Sequence, residues 1–506
     1  MRERRASSVM GTRLRPTSWA GHHRFACDCL LGVGRALIPI IRKAPRWRHC
    51  LRATIVSAAC AIIVACATVP KVDQNLDEIP RLEGPAQIRG ALGPLTARQS
   101  KAILDRIGAE AGDAGMLKRH IAIEEAVAES PLVAGNQTRL LADGEDTFPA
   151  MFKAIKNAKD HINLEYYILE DVENDGERLS DLLIAKRQEG VAVNIIYDSF
   201  GSDSTKMDFF KRLKDGGINL VAFNPVNPLD PQSLNNRDHR KILVADGATA
   251  IVGGINLSTT YQSSSLGKSA GIKGKPDVRW RDTDMEIDGP VVAQFQTLFL
   301  DHWNGQKGPP LDTKNFFPTV PPKGNEVVRV IGSTPEHGIP RYYVTVLSAI
   351  RNAEKSIWVT AAYFVPTDQE EEDLKAAARR GVDVRLLLPS ESDSERALAV
   401  GRSHYSDLLE AGVKIYETQN LVLHSKTAVV DGVWSVVGSS NFDRRSVLFN
   451  DEVDAVVLGA ATAQELQAMF DNDTKRAKQI DLASWRRRSI LQRINEAYST
   501  IWQDWL

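Results

Sequence analysis

His239-Arg-Lys-Ile-Leu-Val-Ala-Asp246 and His424-Ser-Lys-Thr-Ala-Val-Val-Asp431 are two copies of one pattern. Each is followed by a small-residue turn and an asparagine, Gly253-Gly254-x-Asn256 and Gly438-Ser439-x-Asn441, at the same distance from its histidine. The apolar residues after each lysine read as a strand. On a strand, His and Lys two positions apart share one face. Outward from these motifs the duplication continues. Ala154-Ile-Lys-Asn-Ala158 matches Ala349-Ile-Arg-Asn-Ala353, each the end of an amphipathic helix. Strand-like runs follow at Ile162–Ile168 and Ile357–Tyr363, then at Gly190–Tyr197 and Gly381–Leu388, then at Gly217–Val221 and Gly412–Tyr416. Strands alternating with helices predict an α/β protein. Two copies predict two tandem α/β/α sandwich domains, related by a pseudo-twofold and sharing one active site.

The domains are expected at 137–303 and 326–480. A Pro-rich linker lies between them at 304–325, a tether and helical appendage at 67–136, a leader at 1–66, and a C-terminal amphipathic helix at 481–506. In the appendage, Thr96 is placed to cap a helix to about Ile107, and a second helix is expected from about Met116 to Val127.

A twofold would bring His239, His424, Lys241, Lys426, Asn256 and Asn441 to one pocket. The lysines supply positive charge for a phosphate and the asparagines amide donors. One neutral imidazole attacks phosphorus while the other, protonated, donates to the leaving oxygen. Two ammoniums and an imidazolium neutralise a phosphodiester, so neither metal nor cofactor is required. Gly254, Ser439 and their neighbours are expected to let backbone approach the ligand. A carboxylate should stand behind each imidazole. Glu452 lies on the strand after the second motif, and alignment makes Asp282 its counterpart. Asp246 and Asp431 sit at Asp-Gly turns, where a backbone role is favoured. Glu165, on a buried strand, needs a partner; a pocket lysine and a structural ion pair are both open. Residues 262–279, rich in Ser, Gly and Lys, read as a loop near the pocket. Arg402 and Tyr405 are candidates to line it. His120, His161, His302, His337 and His404 have no paired context and read as solvent-facing or structural.

The paired motifs resemble those of the phospholipase D superfamily over roughly residues 137–480. The resemblance implies a covalent phosphohistidine, with His239 as nucleophile and His424 as acid. Leu164-Glu-Tyr-Tyr-Ile168, Tyr197-Asp198-x-x-Gly201-Ser202, Trp280-Arg-Asp-Thr283, Ala362-Tyr-Phe-Val-Pro366 and Gly438-Ser-Ser-Asn-Phe-Asp-Arg-Arg-Ser446 resemble the cardiolipin synthases. That implies transfer of a phosphatidyl group from phosphatidylglycerol to a second phospholipid at a membrane surface, with phosphatidylethanolamine a further candidate substrate. Water in place of the acceptor would make the protein a phospholipase D hydrolase.

Composition bounds these readings. The chain has 506 residues, 43% hydrophobic and 25% charged, ample for a large core. Residues 1–66 are strongly basic, with Glu3 and Asp28 their only acids, so the body is net negative within a total of −1. An acidic body disfavours nucleic acid as partner and a nuclease as function. A non-catalytic membrane-associated binding protein is disfavoured by the two intact His–Lys pairs. All five cysteines lie at or before Cys66, which leaves the body without disulfides or thiolate metal sites. Arg46, Arg48 and Arg52 precede an apolar run, Ala53 to Ala65, too short to span a bilayer. The run ends Ile63-Val-Ala-Cys66, which resembles a bacterial lipobox. This implies lipidation at Cys66 and an envelope location facing the periplasm, and the long basic stretch before it suggests a true start downstream of Met1. Near the C-terminus, Trp485-Arg-Arg-Arg-Ser-Ile-Leu-Gln-Arg-Ile494 reads as a basic amphipathic helix, on lipid or packed on the body.

Overall fold

The computed structural model describes residues 69, 86–110, 115–128, 130–225, 235–262, 278–335 and 340–505. The leader with Cys66, most of the tether, His337 and most of the 262–279 loop lie outside the described residues. The chain divides into Met1–Thr68 and Val69–Leu506, and the described residues belong to the second unit.

Both halves repeat one order of elements. In the first, Leu132–Ala142, His161–Tyr166, Ala192–Asp198 and Asn219–Phe223 alternate with helices Asp143–Asn157, Leu179–Gln188 and Met207–Asp215. Three antiparallel strands, Lys241–Ala245, Thr249–Gly253 and Thr283–Asp288, and the helix Val292–Gly305 close it. The second half uses Glu326–Ser333, Ser356–Thr360, Asp383–Leu388 and Lys414–Glu417, then Thr427–Val430, Trp434–Gly438 and Asn450–Leu458, and closes on the helix Ala460–Thr474. Strands pair in the same spatial order in both. The two sheets join where Leu132–Ala142 and Glu326–Ser333, equivalent edge strands, pair antiparallel. This is the duplicated α/β arrangement expected.

Side-chain alternation builds three layers of core. Ile242, Val244, Val252 and Met285 pack with Val429, Val437, Val453 and Ala455 between the two sheets. The residues one position out of phase face helices instead: Leu243 and Ile251 in the first half, Ala428, Val430 and Val436 in the second. Both faces of these strands are therefore buried, which is why they read as near-continuous apolar runs. Helix Asp368–Arg379 starts at a capping box in which Thr367 and Glu370 satisfy each other's backbone N–H.

Several elements differ from expectation. The helices Ala97–Glu110 and Gly115–Ala128 form as expected, but the tether contributes a short strand, Ile88–Gly90, beside Leu132–Val133. The C-terminal helix is broken into Leu482–Arg486 and Ile490–Ser499, followed by a 3-10 turn. Neither histidine lies in a regular strand, which begins only at Lys241 and at Thr427.

Asp246 and Asp431 lie away from the pocket. Asp246 adopts φ 52° and accepts from the N–H of Lys159, Asp160 and His161; Asp431 adopts φ 53° and accepts from Glu354, Lys355 and Ser356. Each carboxylate ties its turn to the start of the neighbouring strand. Asp tolerates this left-handed backbone better than most residues. Asp246→Ala or Asp431→Ala should each cost about 2–3 kcal/mol by leaving three N–H groups without an acceptor. Asparagine should recover part of it. Thermal denaturation reads the difference, and turnover per folded molecule should hold.

Candidate active site

Two small parallel ladders bring the halves together. Arg237–Asp238 runs beside Asn450–Asp451, pairing Asp238 with Asp451. Arg279–Arg281 runs beside Leu421–Leu423, pairing Arg281 with Leu423. One residue further along each ladder, His239 meets Glu452 and His424 meets Asp282. The backbone N–H of His239 donates to Asp451 O at 2.9 Å, and that of His424 to Arg281 O at 2.7 Å.

The imidazole–carboxylate pairs therefore cross between halves. His239 Nδ1 is 2.9 Å from Glu452 Oε2, and His424 Nδ1 is 2.7 Å from Asp282 Oδ2. With Nδ1 engaged, Nε2 of each ring is the nitrogen left for chemistry. Lys241 and Lys426 each donate to the carbonyl of the histidine two residues earlier, and Lys426 Nζ also lies 3.1 Å from His424 Nδ1. Each imidazole feels the other half's ammonium: Lys426 acts on His239 and Lys241 on His424.

The carboxylates are held differently. Glu452 accepts from Ser439 Oγ (2.6 Å), Ser446 Oγ (2.8 Å) and Asn450 Nδ2 (3.2 Å) as well as from His239. Asp282 accepts from the N–H of Thr283 at 2.8 Å. Burial would raise both acids, but His239 and Lys241 hold Glu452 below its usual range, and His424 and Lys426 do the same for Asp282. Burial, with Lys241 and Lys426 and against Glu452, lowers His239 to about 4. Burial and Lys426 lower His424 as well. Burial lowers Lys241 to about 7 and moves Lys426 the same way. The pocket without an anion thus holds neutral imidazoles over ionised carboxylates.

Gly254 has a different task from the one expected. A Cβ there would lie 2.1 Å from Asp282 Oδ1, and Cβ atoms on Gly253 and Gly438 would meet Asp284 and Asp454 at 2.1 and 2.0 Å. These glycines make room for carboxylates. Gly254→Ala should push Asp282 off His424 and lower turnover roughly 100-fold or more while the fold persists. Circular dichroism paired with turnover measurements would check this.

Of the asparagines, Asn256 is engaged within the protein: its Oδ1 accepts from the N–H of Ile168 and its Nδ2 donates to Tyr261 Oη. Asn441 Oδ1 is buried with no hydrogen-bond partner among the described residues. Glu165 pairs with no pocket lysine. It binds Arg240 Nη1 at 3.1 Å and His302 Nδ1 at 2.7 Å, because Arg240 points opposite to its neighbours His239 and Lys241. Glu165, Asp238 and His302 converge closely enough to hold a cation, but Arg240 already supplies a positive charge there. Arg402 and Tyr405 both bind Glu417 instead of lining the pocket. His120 and His161 are buried, and His404 pairs with Glu371.

Four aromatic side chains wall the two histidines. Tyr167 packs edge-on to His239 (centroids 5.3 Å), with Lys241 Nζ 5.4 Å over its ring. Tyr261, Trp280 and Tyr363 surround His424 at 5.4, 5.7 and 6.1 Å. Tyr167, Trp280, Tyr363 and Ser446 each sit in a motif stretch, whereas Tyr261 and Asn450, beside His424 and Glu452, carry no such signal.

Two imidazoles, each braced by a carboxylate from the opposite half and accompanied by a lysine, define a two-histidine protein of the phospholipase D type. Comparison with known proteins agrees. The family model described as "Cardiolipin synthase, PLD-like domain" matches residues 151–278 and 346–474. A cardiolipin synthase of Alkalihalophilus pseudofirmus is 35% identical over 376 residues, 74% of this chain and 73% of that protein. One from Geobacillus sp. (strain WCH70) is 36% identical over 378 residues, again 74% and 73%. The phosphatidylserine synthase structure from Haemophilus influenzae Rd KW20 superposes with a TM-score of 0.57 at 13% identity, over 76% of this chain and 98% of that one, a likeness of fold. The chain belongs to the cardiolipin synthase family of phospholipase D-like proteins.

Proposed function

We propose that the protein is a phosphatidyltransferase that makes cardiolipin from phosphatidylglycerol and a second phospholipid, with phosphatidylethanolamine a further candidate substrate. The crossed His–carboxylate pairs support this reading most. His239 Nε2 attacks the donor phosphorus, the P–O bond to the head group breaks, and His424 Nε2–H protonates the departing alkoxide. His424 then takes the proton from the acceptor's hydroxyl. That oxygen attacks phosphorus and the P–N bond breaks, freeing His239. A phosphodiester brings negative charge between Lys241 and Lys426, which raises the proton affinity of His424 so that it can serve as the acid. The two ammoniums supply the charge that a metal would otherwise provide. Tyr167, Tyr261, Trp280 and Tyr363 limit water around the intermediate, which favours transfer over hydrolysis. We further propose that Cys66 is lipidated and holds the enzyme at the envelope membrane, facing the periplasm.

Purified protein given phosphatidylglycerol, with and without phosphatidylethanolamine, tests the reading. Cardiolipin and free glycerol are expected. Phosphatidic acid as sole product would make it a hydrolase, and no turnover of either lipid would reject the proposal.

The pH profile follows from the buried charges. His239 must be neutral, so kcat/KM should rise through the acid limb near 4. His424 must be charged to act as the acid and Lys241 to hold the phosphate; burial lowers both, Lys241 to about 7, so the productive form is lost as pH rises. The pair of limbs belongs to the coupled pocket as a whole. A kcat/KM profile still rising at pH 9 would contradict it.

A further inference from the structure

The helix Ile490–Ser499 is turned inside out relative to an ordinary surface helix. Its buried residues are polar, Glu496 and Ser499. Glu496 is fixed to Arg488 by contacts of 2.7–3.2 Å, and Arg488 stacks over Trp485 at 4.4 Å. The apolar side chains point the other way. Ile490, Leu491, Ile494 and Tyr498 are 73%, 78%, 59% and 60% exposed, and Ile501 beyond the helix is 66% exposed. At 100° per residue these four lie within one stripe, opposite Glu496. A helix normally buries such a stripe. Grouped exposure of this kind marks a surface made to meet something apolar.

The charge around the stripe says what. From Leu482 to Ile501 the only acid is Glu496, which is buried, whereas Arg487 and Arg493 are exposed and Arg486 is paired with Glu410 at 2.6 Å. Apolar side chains flanked by exposed arginines suit an anionic lipid interface, where the stripe enters the acyl boundary and the guanidiniums meet head-group phosphates. Position fits too. The helix packs on Glu395–Ser403, and Gln503 Nε2 donates to Pro366 O. Pro366 ends the Ala362–Pro366 stretch whose Tyr363 ring faces His424 and whose Tyr363 hydroxyl binds Asp393.

We propose that Ile490–Ser499 is a docking helix that lays Ile490, Leu491, Ile494 and Tyr498 into the surface of an anionic phospholipid bilayer beside the second-half rim of the pocket. The inference builds on the lipid-transfer reading and names where the enzyme meets its substrate phase.

The test uses the full chain with Cys66→Ser, so that no acyl anchor contributes, and the same chain with Ile490→Ser, Leu491→Ser and Ile494→Ser added. Flotation compares vesicles of phosphatidylglycerol and phosphatidylcholine with vesicles of phosphatidylcholine alone. Monomeric dihexanoyl-phosphatidylglycerol serves as substrate in parallel. The triple variant should lose at least tenfold in partitioning to the anionic vesicles and keep its turnover of the monomeric lipid. Arg487→Gln with Arg493→Gln should reduce binding to anionic vesicles and flatten its salt dependence. Equal flotation of parent and triple variant overturns the proposal. So does a change from dimer to monomer in the triple variant by light scattering, which would make the stripe a contact between copies. Failure of the parent to turn over the monomeric lipid counts against the lipid-transfer reading alone, because flotation reads docking without catalysis.

Discussion

Turnover should fall by roughly 10⁴-fold or more in His239→Ala, with KM for the lipid little changed. The ring does one thing nothing else in the pocket can do: it forms and releases a bond to phosphorus. Lys241 is committed to the His239 carbonyl and to charge, and among the described residues the other imidazole of the pocket is His424, whose Nδ1 is already held by Asp282. The fold should tolerate the change, since the residue lies before the strand and its removal leaves the small ladder of Arg237–Asp238 with Asn450–Asp451 intact. Initial-rate measurements on phosphatidylglycerol vesicles, with circular dichroism as control, check this. Retention of more than about 1% of the parent rate would assign the nucleophile elsewhere.

Glu452→Gln should be nearly as damaging, by roughly 10³–10⁴-fold in kcat, from a change that keeps side-chain shape. The carboxylate accepts from His239, Ser439, Ser446 and Asn450. A glutamine has one accepting oxygen for those four donors, and its amide N–H groups would face at least one of them. The His239 ring would then lose the partner that sets its tautomer and supports its charge as the P–N bond forms. Stability should drop as well, by about 2–3 kcal/mol, because buried donors lose their acceptor. Asp282→Asn should be milder, since Asp282 serves the acid–base histidine and has fewer donors to satisfy. Rates and urea midpoints on the two variants would separate them, and equal losses would contradict the division of roles.

Much of this was legible in the sequence because the repeat is the fold. Matching Ala154–Ala158 with Ala349–Ala353 and one histidine motif with the other gave the alternation of strands and helices in two copies and brought out both His–Lys pairs, whereas the hydrogen bonds of Asn256 to Ile168 and Tyr261 were not legible. The crossing of the carboxylates was not legible. A period of two tells which face His239 and His424 share with their lysines, but not which half lies opposite. That depends on the ladders at Asp238–Asp451 and Arg281–Leu423, segments of two or three residues with no periodic signal. Glu165 was open for the same reason: its partner Arg240 is the out-of-phase residue of the motif. The role of Gly254 depends on a carboxylate distant in sequence. The outward face of Ile490–Ser499 could not be read either, because an apolar stripe predicts amphipathicity but not whether protein or lipid covers it.

The central claim is that one phosphodiester is handled by imidazoles from both halves, His239 bonding to phosphorus and His424 moving the proton. Mass spectrometry of the His424→Asn protein after prolonged exposure to phosphatidylglycerol tests it most directly. Without His424 the head group leaves unprotonated and the adduct forms slowly, but no base activates an acceptor to release it, so the phosphatidyl group should accumulate on the peptide containing His239 and be absent from His239→Ala. A His424→Asn enzyme that turns over at the parent rate, or an adduct on any residue other than His239, would contradict the account.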